Sequence, residues 1–164
     1  MGRRWQLGLI SVAQEHYATE FAHQVLSQVN LSTTRHPYRK GTLVVTCVAN
    51  EMHGLGSRMV SDFLEMDGWD VSYLGANMPH ADVISILKER KAKGLLVSVT
   101  MGYNVKRVRT LIRHVRADPA LENLKVVVGG YVFNNVEGLW SAVGADGFAK
   151  NVDDAVRVVN ELLK

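Results

Sequence analysis

Thr42-Leu43-Val44-Val45-Thr46-Cys47-Val48 runs into Ala49-Asn50-Glu51-Met52-His53-Gly54-Leu55-Gly56, and an amphipathic stretch then continues to Met66. The first seven residues are an apolar, β-branched run, the pattern of a strand buried on both faces. The loop after it is short and holds a carboxylate, an imidazole and two glycines. A buried strand that feeds such a loop into a helix is the first unit of a parallel α/β sheet.

The same alternation continues to the C-terminus. His53 to Met66 reads as a helix, Trp69 to Leu74 as a strand, His80 to Lys91 as a helix and Gly94 to Val99 as a strand. A helix around Val105 to Val115, a strand Leu124 to Val128 and a helix Asn134 to Val143 follow. Gly147 to Ala149 makes a fragmentary fifth strand, and Val152 to Leu163 the last helix. The expected fold is a five-stranded doubly wound parallel sheet of the flavodoxin-like type, with its ligand site at the carboxyl ends of the strands. Residues 41–164 form this domain.

Residues 1–40 stand outside the alternation and are expected to be a partial helical cap with a linker. Ser11 and Gln14 spell a capping box. Ala13, Tyr17, Phe21 and Val25, with Ala18, Ala22, Leu26 and Val29, make one wide apolar face on a helix from Val12 to Gln28. Gly8 weakens any continuous helix back to Trp5, and Leu31 to Lys40 reads as linker.

The 164 residues are 47% hydrophobic and 21% charged, a globular composition that excludes disorder, collagen and coiled coil. The net charge of +3 comes from residues 1–40, which hold five Lys/Arg against Glu15 and Glu20; residues 41–164 hold fourteen of each sign. That excess is too small to argue for nucleic-acid binding. Lys106, Arg109, Arg113 and Arg116 form a basic stripe at helical spacing, read foremost as a solvated face. No apolar run approaches the roughly 20 residues of a membrane span, and the first twenty do not form a signal-peptide core, so a cytoplasmic location is expected. Cys47, the single cysteine, reads as a buried small hydrophobe.

Chemistry concentrates on the strand-to-helix loops. A carboxylate that accepts one ring N–H of an imidazole fixes its tautomer and raises its basicity, the arrangement found behind metal-bound histidines. Glu51 and His53 have the spacing for this, although His53 by itself also reads as a helix-start or hydrogen-bonded surface residue. Ser98-Val99-Thr100 follows the third strand and Gly129-Gly130 the fourth. Hydroxyls there reach a ligand, and paired glycines let a bulky group approach the backbone.

Glu51-x-His53-x-x-Gly56, Ser98-x-Thr100 and Gly129-Gly130, in order and on the matching loops, resemble the cobalamin-binding fold, whose signature is D-x-H-x-x-G, then S-x-L, then G-G. The resemblance covers residues 41–164. Glu51 stands for the family's Asp and still supplies the carboxylate; Thr100 stands for its Leu and is expected to alter the tail pocket. The resemblance implies that His53 is the metal ligand, the lower axial ligand of cobalt in place of the cofactor's dimethylbenzimidazole, with Glu51 orienting it. The displaced base would enter a slot beside the sheet, hydrogen-bonded by Ser98 and given room by Gly129 and Gly130.

Trp5, with Glu15 and His16 after nine intervening residues and Val12 in the matching position, resembles the W-x9-E-H pattern of CarH-type light-sensing cobalamin proteins. This implies a cobalamin-dependent photoreceptor binding adenosylcobalamin, with Trp5 capping the adenosyl group and Glu15 and His16 helping to hold it. Gln6 departs from the family, which has a His there. Four helices with loops need about 50 to 60 residues, and only 41 precede the first strand. Such a truncated cap resembles photocobilins, which also hold a linear tetrapyrrole such as biliverdin; Tyr17, Phe21 and the loop Met101 to Asn104 are its candidate surroundings. The apolar helix face implies a homodimer, and signalling would need a downstream protein or fused output domain. On this reading the chain is a sensory module, not an enzyme. Two alternatives stay open: a corrinoid methyl carrier of a methyltransferase system, and a haem-binding redox sensor on the same fold.

Overall fold

In this computed structural model residues 4–5, 7–32, 37 and 40–164 are described. The chain divides into two compact units, Met1–Thr34 and Arg35–Lys164. The first contains helix α1, Val12–Ser32. Its start is the capping box expected from the sequence: the Gln14 backbone N–H donates to Ser11 Oγ at 3.2 Å, and the Ser11 N–H donates to Gln14 Oε1 at 2.9 Å. The helix runs on past the expected end at Gln28 to Ser32, because nothing between the two breaks it. Gln6 and most of the expected linker lie outside the described residues.

The second unit runs β1 (Thr42–Val48), α2 (Leu55–Met66), β2 (Asp70–Met78), α3 (His80–Glu89) and β3 (Gly94–Ser98). It continues with α4 (Val105–Ala117), β4 (Lys125–Gly129), α5 (Tyr131–Asn135), α6 (Leu139–Ala142), β5 (Gly147–Ala149) and α7 (Val152–Leu162). The five strands form one sheet in the order β2-β1-β3-β4-β5, parallel throughout. This is the flavodoxin-like doubly wound sheet.

The two-residue period of the strands divides the core between the faces. Val44, Val48, Leu95, Val97, Val126 and Val128 pack with Val83 and Leu87 of α3, Val108, Leu111 and Val115 of α4, and Phe133 of α5. Their neighbours Leu43, Val45, Leu96 and Val127 face the other way, onto Leu64 of α2, Trp69, and Ala155 and Val159 of α7. The chain leaves β1 toward one edge and β3 toward the other, so the switch of direction lies between the carboxyl ends of these strands, where a doubly wound sheet places its ligand crevice.

Three boundaries differ from the sequence reading. The helix predicted from His53 begins at Leu55, since the His53 N–H is taken by the Glu51 side chain at 3.3 Å and the Gly54 N–H by the Met52 carbonyl at 3.0 Å. The second strand continues through Gly75 to Met78, its register against β1 shifting after Val45 and again after Thr46. The helix predicted over residues 134–143 is two short ones: the first ends at an extended Val136, and the second starts after Gly138, its N-cap at φ +71°. The basic stripe is divided too. Arg116 donates to the Leu124 carbonyl at 2.8 Å and to Asp146 Oδ2 at 2.6 Å, tying α4 to the β4 and β5 loops. Lys106, Arg109 and Arg113 remain exposed.

Candidate functional site

Beyond the end of β1 the chain turns at Asn50 and drops Glu51 into the crevice, where its side chain is fully buried. Glu51 Oε1 lies 2.5 Å from His53 Nδ1. Oε2 accepts from the Thr100 N–H at 3.0 Å, the Met101 N–H at 3.0 Å and Asn104 Nδ2 at 3.1 Å. Burial opposes ionisation, but the bonds from Met101, His53, Asn104 and Thr100 outweigh it and hold the carboxyl below its ordinary value. An ionised carboxylate only accepts, so Nδ1 of His53 carries a proton toward Glu51 and Nε2 of the neutral ring keeps its lone pair. The His53 side chain is 56% exposed. Glu51 thus spans the switch point, joining the loop that carries the imidazole to the loop after β3.

Asn104, fully buried, supports this arrangement. Its Nδ2 donates to the Asn50 carbonyl at 3.2 Å as well as to Glu51, and its Oδ1 is buried with no hydrogen-bond partner among the described residues. Asn104, expected from sequence only in a loop beside a second chromophore, faces inward, and Met101 in the same loop spends its N–H on Glu51. A solitary asparagine whose partners lie over fifty residues away leaves no local pattern to find.

A cavity of about 170 Å³ opens at the carboxyl ends of β1, β3, β4 and β5. Val45, Leu96 and Val127 form its floor, α2 contributes Gly56, Ser57 and Val60, and α7 contributes Val152 and Ala155. Ser98, Gly129 and Gly130 line it as well, on the positions the sequence reading gave to a slot beside the sheet. Thr100 is not among the residues that line it; its backbone N–H donates to Glu51. The glycines have a second role. A Cβ on Gly130, at φ +98°, would come within 2.8 Å of the Val99 nitrogen, and one on Gly129 within 2.9 Å of the Ala149 carbonyl oxygen. Close backbone packing therefore requires both, apart from any room they leave in the cavity.

Above Ser57 the site is closely hydrogen-bonded. The Ser57 and Tyr73 hydroxyls both donate to the Gly54 carbonyl, at 2.8 and 2.9 Å. Cys47 Sγ lies 3.3 Å from Ser57 Oγ, and burial pushes the Cys47 thiol up to about 11, so it is an inert core group as its sequence context implied. In the first unit, Trp5, Val12 and His16 are exposed, and Glu15 accepts from the Thr19 hydroxyl at 2.9 Å with His16 Nε2 4.0 Å away.

Among the described residues no helix is long and apolar enough to cross a membrane. Dimethylamine corrinoid protein 3 of Methanosarcina acetivorans is 30% identical to this chain over 124 residues, which are 75% of the chain and 57% of that protein. Its namesake in Methanosarcina mazei is 28% identical over 126 residues, covering 76% of the chain and 74% of that protein. The chain spans little more than half the length of most curated relatives that it matches. Of the solved structures, the Methanosarcina barkeri monomethylamine corrinoid protein superposes with a TM-score of 0.82 at 20% identity, over 98% of this chain and 76% of that one. A cobalamin-binding protein from Desulfitobacterium hafniense DCB-2 gives 0.70 at 21% identity, over 99% and 76%. Both share the fold. The B12 binding domain model matches residues 41–159, which span the Glu51–His53 loop, the cavity and all five strands, and on that match the chain belongs to the B12-binding domain family.

Proposed function

We propose that the chain is a corrinoid methyl carrier, a protein that holds a cobalamin-type cofactor base-off on His53 and presents it to a methyltransferase partner. The observation that carries this is the Glu51–His53 pair, whose Nε2 lone pair is left for a metal beside an apolar cavity able to take the cofactor's displaced base. The donor set fits the group. One imidazole would suit a metal whose other ligands the cofactor itself supplies, and the Ser98 hydroxyl, with no hydrogen bond to another described residue, lines the cavity. Met52, Tyr103 and Tyr131 are exposed beyond the carboxyl ends of β1, β3 and β4. Such apolar side chains suit a broad, flat macrocycle.

When bound, the corrinoid supplies a cobalt that accepts and releases a methyl group. The chain orients the imidazole through Glu51, holds the loop after β3 through Asn104, and encloses the base. We assign none of its residues a catalytic role. Relatives named as dimethylamine corrinoid proteins support a carrier over a light sensor, and the complex solved as a methanol:cobalamin methyltransferase from Methanosarcina barkeri is a precedent on this fold for pairing with an enzyme. The sensor reading, with adenosylcobalamin and a bilin, needs Trp5, Glu15 and His16 to act as a cap for the adenosyl group.

Absorption titrations with methylcobalamin and adenosylcobalamin separate the two. A carrier binds the methyl form at least as tightly, with a histidine-ligated spectrum that His53→Ala abolishes. A preference for the adenosyl form that Trp5→Ala removes would transfer the assignment to the sensor. Binding and spectrum unchanged by His53→Ala would remove the site itself.

A further inference from the structure

We propose that the cavity selects the chemistry of the corrinoid's tail, accepting a benzimidazole or phenolic ring and discriminating against a purine. The inference rests on the corrinoid reading above and concerns the cavity's own lining.

Its walls are apolar where a ring would lie: Val45, Leu96 and Val127 from three strands, and Ala155 from α7. Two hydroxyls interrupt them. Ser57 has already given its proton to the Gly54 carbonyl. Ser98 is therefore the hydroxyl that keeps a proton to donate, with no hydrogen bond to another described residue. At the mouth, Asn151 Oδ1 is engaged by the Asp154 N–H at 2.9 Å, and Lys150 is exposed with its charge in solvent.

A dimethylbenzimidazole freed from cobalt has one ring nitrogen with a lone pair, and one hydroxyl satisfies it. A phenolic ring has no such nitrogen. A purine such as adenine brings an exocyclic amine and several ring nitrogens, most of which would be buried against valine and leucine without partners. Polar groups stripped of water and left unpaired are the strongest source of rejection available to a closed site.

The test titrates the full chain with three corrinoids: one with a cresol tail, one with an adenine tail and one with no tail. Cresol has no nitrogen to ligate cobalt and adenine is a weak ligand, so the cost of detaching the base contributes little to either affinity. The cresol form should bind at least about tenfold more tightly than the adenine form, the factor set by one buried unpaired polar group. Ser98→Ala should weaken binding of dimethylbenzimidazole cobalamin several-fold and leave the cresol form unchanged. Equal affinities, or a preference for adenine, overturn the proposal, and the tail-less corrinoid then shows by its histidine-ligated spectrum that the carrier site itself stands. If none of the three binds, the carrier reading fails and takes this inference with it.

Discussion

Glu51 and His53 stand two residues apart, yet their environments are opposite: the carboxylate is fully buried with both oxygens hydrogen-bonded, while the imidazole it holds at 2.5 Å is more than half exposed. The buried member fixes a geometry that the exposed member presents. Removing either should therefore have different consequences for the apo fold and for the ligand.

Glu51→Gln keeps the shape but removes the charge, and an amide cannot accept at both termini. Corrinoid affinity should fall about 10- to 100-fold, the usual cost of losing the group behind a metal-bound histidine. Apo stability should fall too, since N–H groups of Thr100, Met101 and Asn104 lose an ionised acceptor. His53→Ala should abolish ligation but leave the melting temperature of the apo protein nearly unchanged. Thermal melts beside absorption titrations check both; equal destabilisation by the two substitutions contradicts this division.

Acid should separate them again. The folded-state Glu51 carboxyl is held below its ordinary value, so the stability it contributes is fully present above the unfolded glutamate pKa of about 4.3 and is lost as pH falls through the lower folded value. Denaturant unfolding between pH 6 and pH 3 should show a decline that Glu51→Gln flattens. An identical slope in both proteins would mean that other carboxylates carry it.

Much of this candidate site was legible before the fold because its imidazole and cavity residues sit at the carboxyl ends of three adjacent strands, β1, β3 and β4, where short patterns survive: Glu51-x-His53, Ser98 and Gly129-Gly130. Asn104 was not, since its role exists only where β1 and β3 lie side by side. The same distinction applies to the fold. β1 is fully buried from Leu43 onward and its apolar run is unbroken, whereas β2 is an edge strand of intermediate burial whose Gly75 reads as a stop but lies where the register against β1 shifts. Gly138 reads as an ordinary helix residue until its positive φ is seen. Glycine alone does not say whether a chain stops, bulges or turns.

Asn104→Asp should be worse than Asn104→Ala. The alanine removes one hydrogen bond to Glu51 and one to the Asn50 carbonyl, a cost of about 1–3 kcal/mol. The aspartate instead sets a second buried carboxylate about 3 Å from the first, and like charges at that distance force one of them to take up a proton. Its melting temperature should rise relative to wild type as pH is lowered from 7 to 5, which the alanine variant should not show. Parallel pH profiles for the two variants would mean that the Asn104 amide does not face Glu51.

The glycines that line the cavity should separate by backbone and by space. Gly130→Ala combines a φ of +98° with a Cβ driven into the backbone of Val99, neither of which a side-chain rotation relieves, so a loss of about 1–3 kcal/mol or more is expected. Gly56 lies in the first turn of α2, and a Cβ there meets no atom of the described residues within 4 Å. Gly56→Ala should leave apo stability unchanged or raise it by up to about 1 kcal/mol, since alanine favours the helix. Its effect should instead appear on ligand, because Gly56 lines the cavity. A larger side chain, Gly56→Leu, should weaken a tailed corrinoid more than the tail-less one, with the apo melting temperature held. If Gly56→Leu weakens both corrinoids equally, the tail does not enter this cavity, and the cavity's part in holding the cofactor must be reassigned.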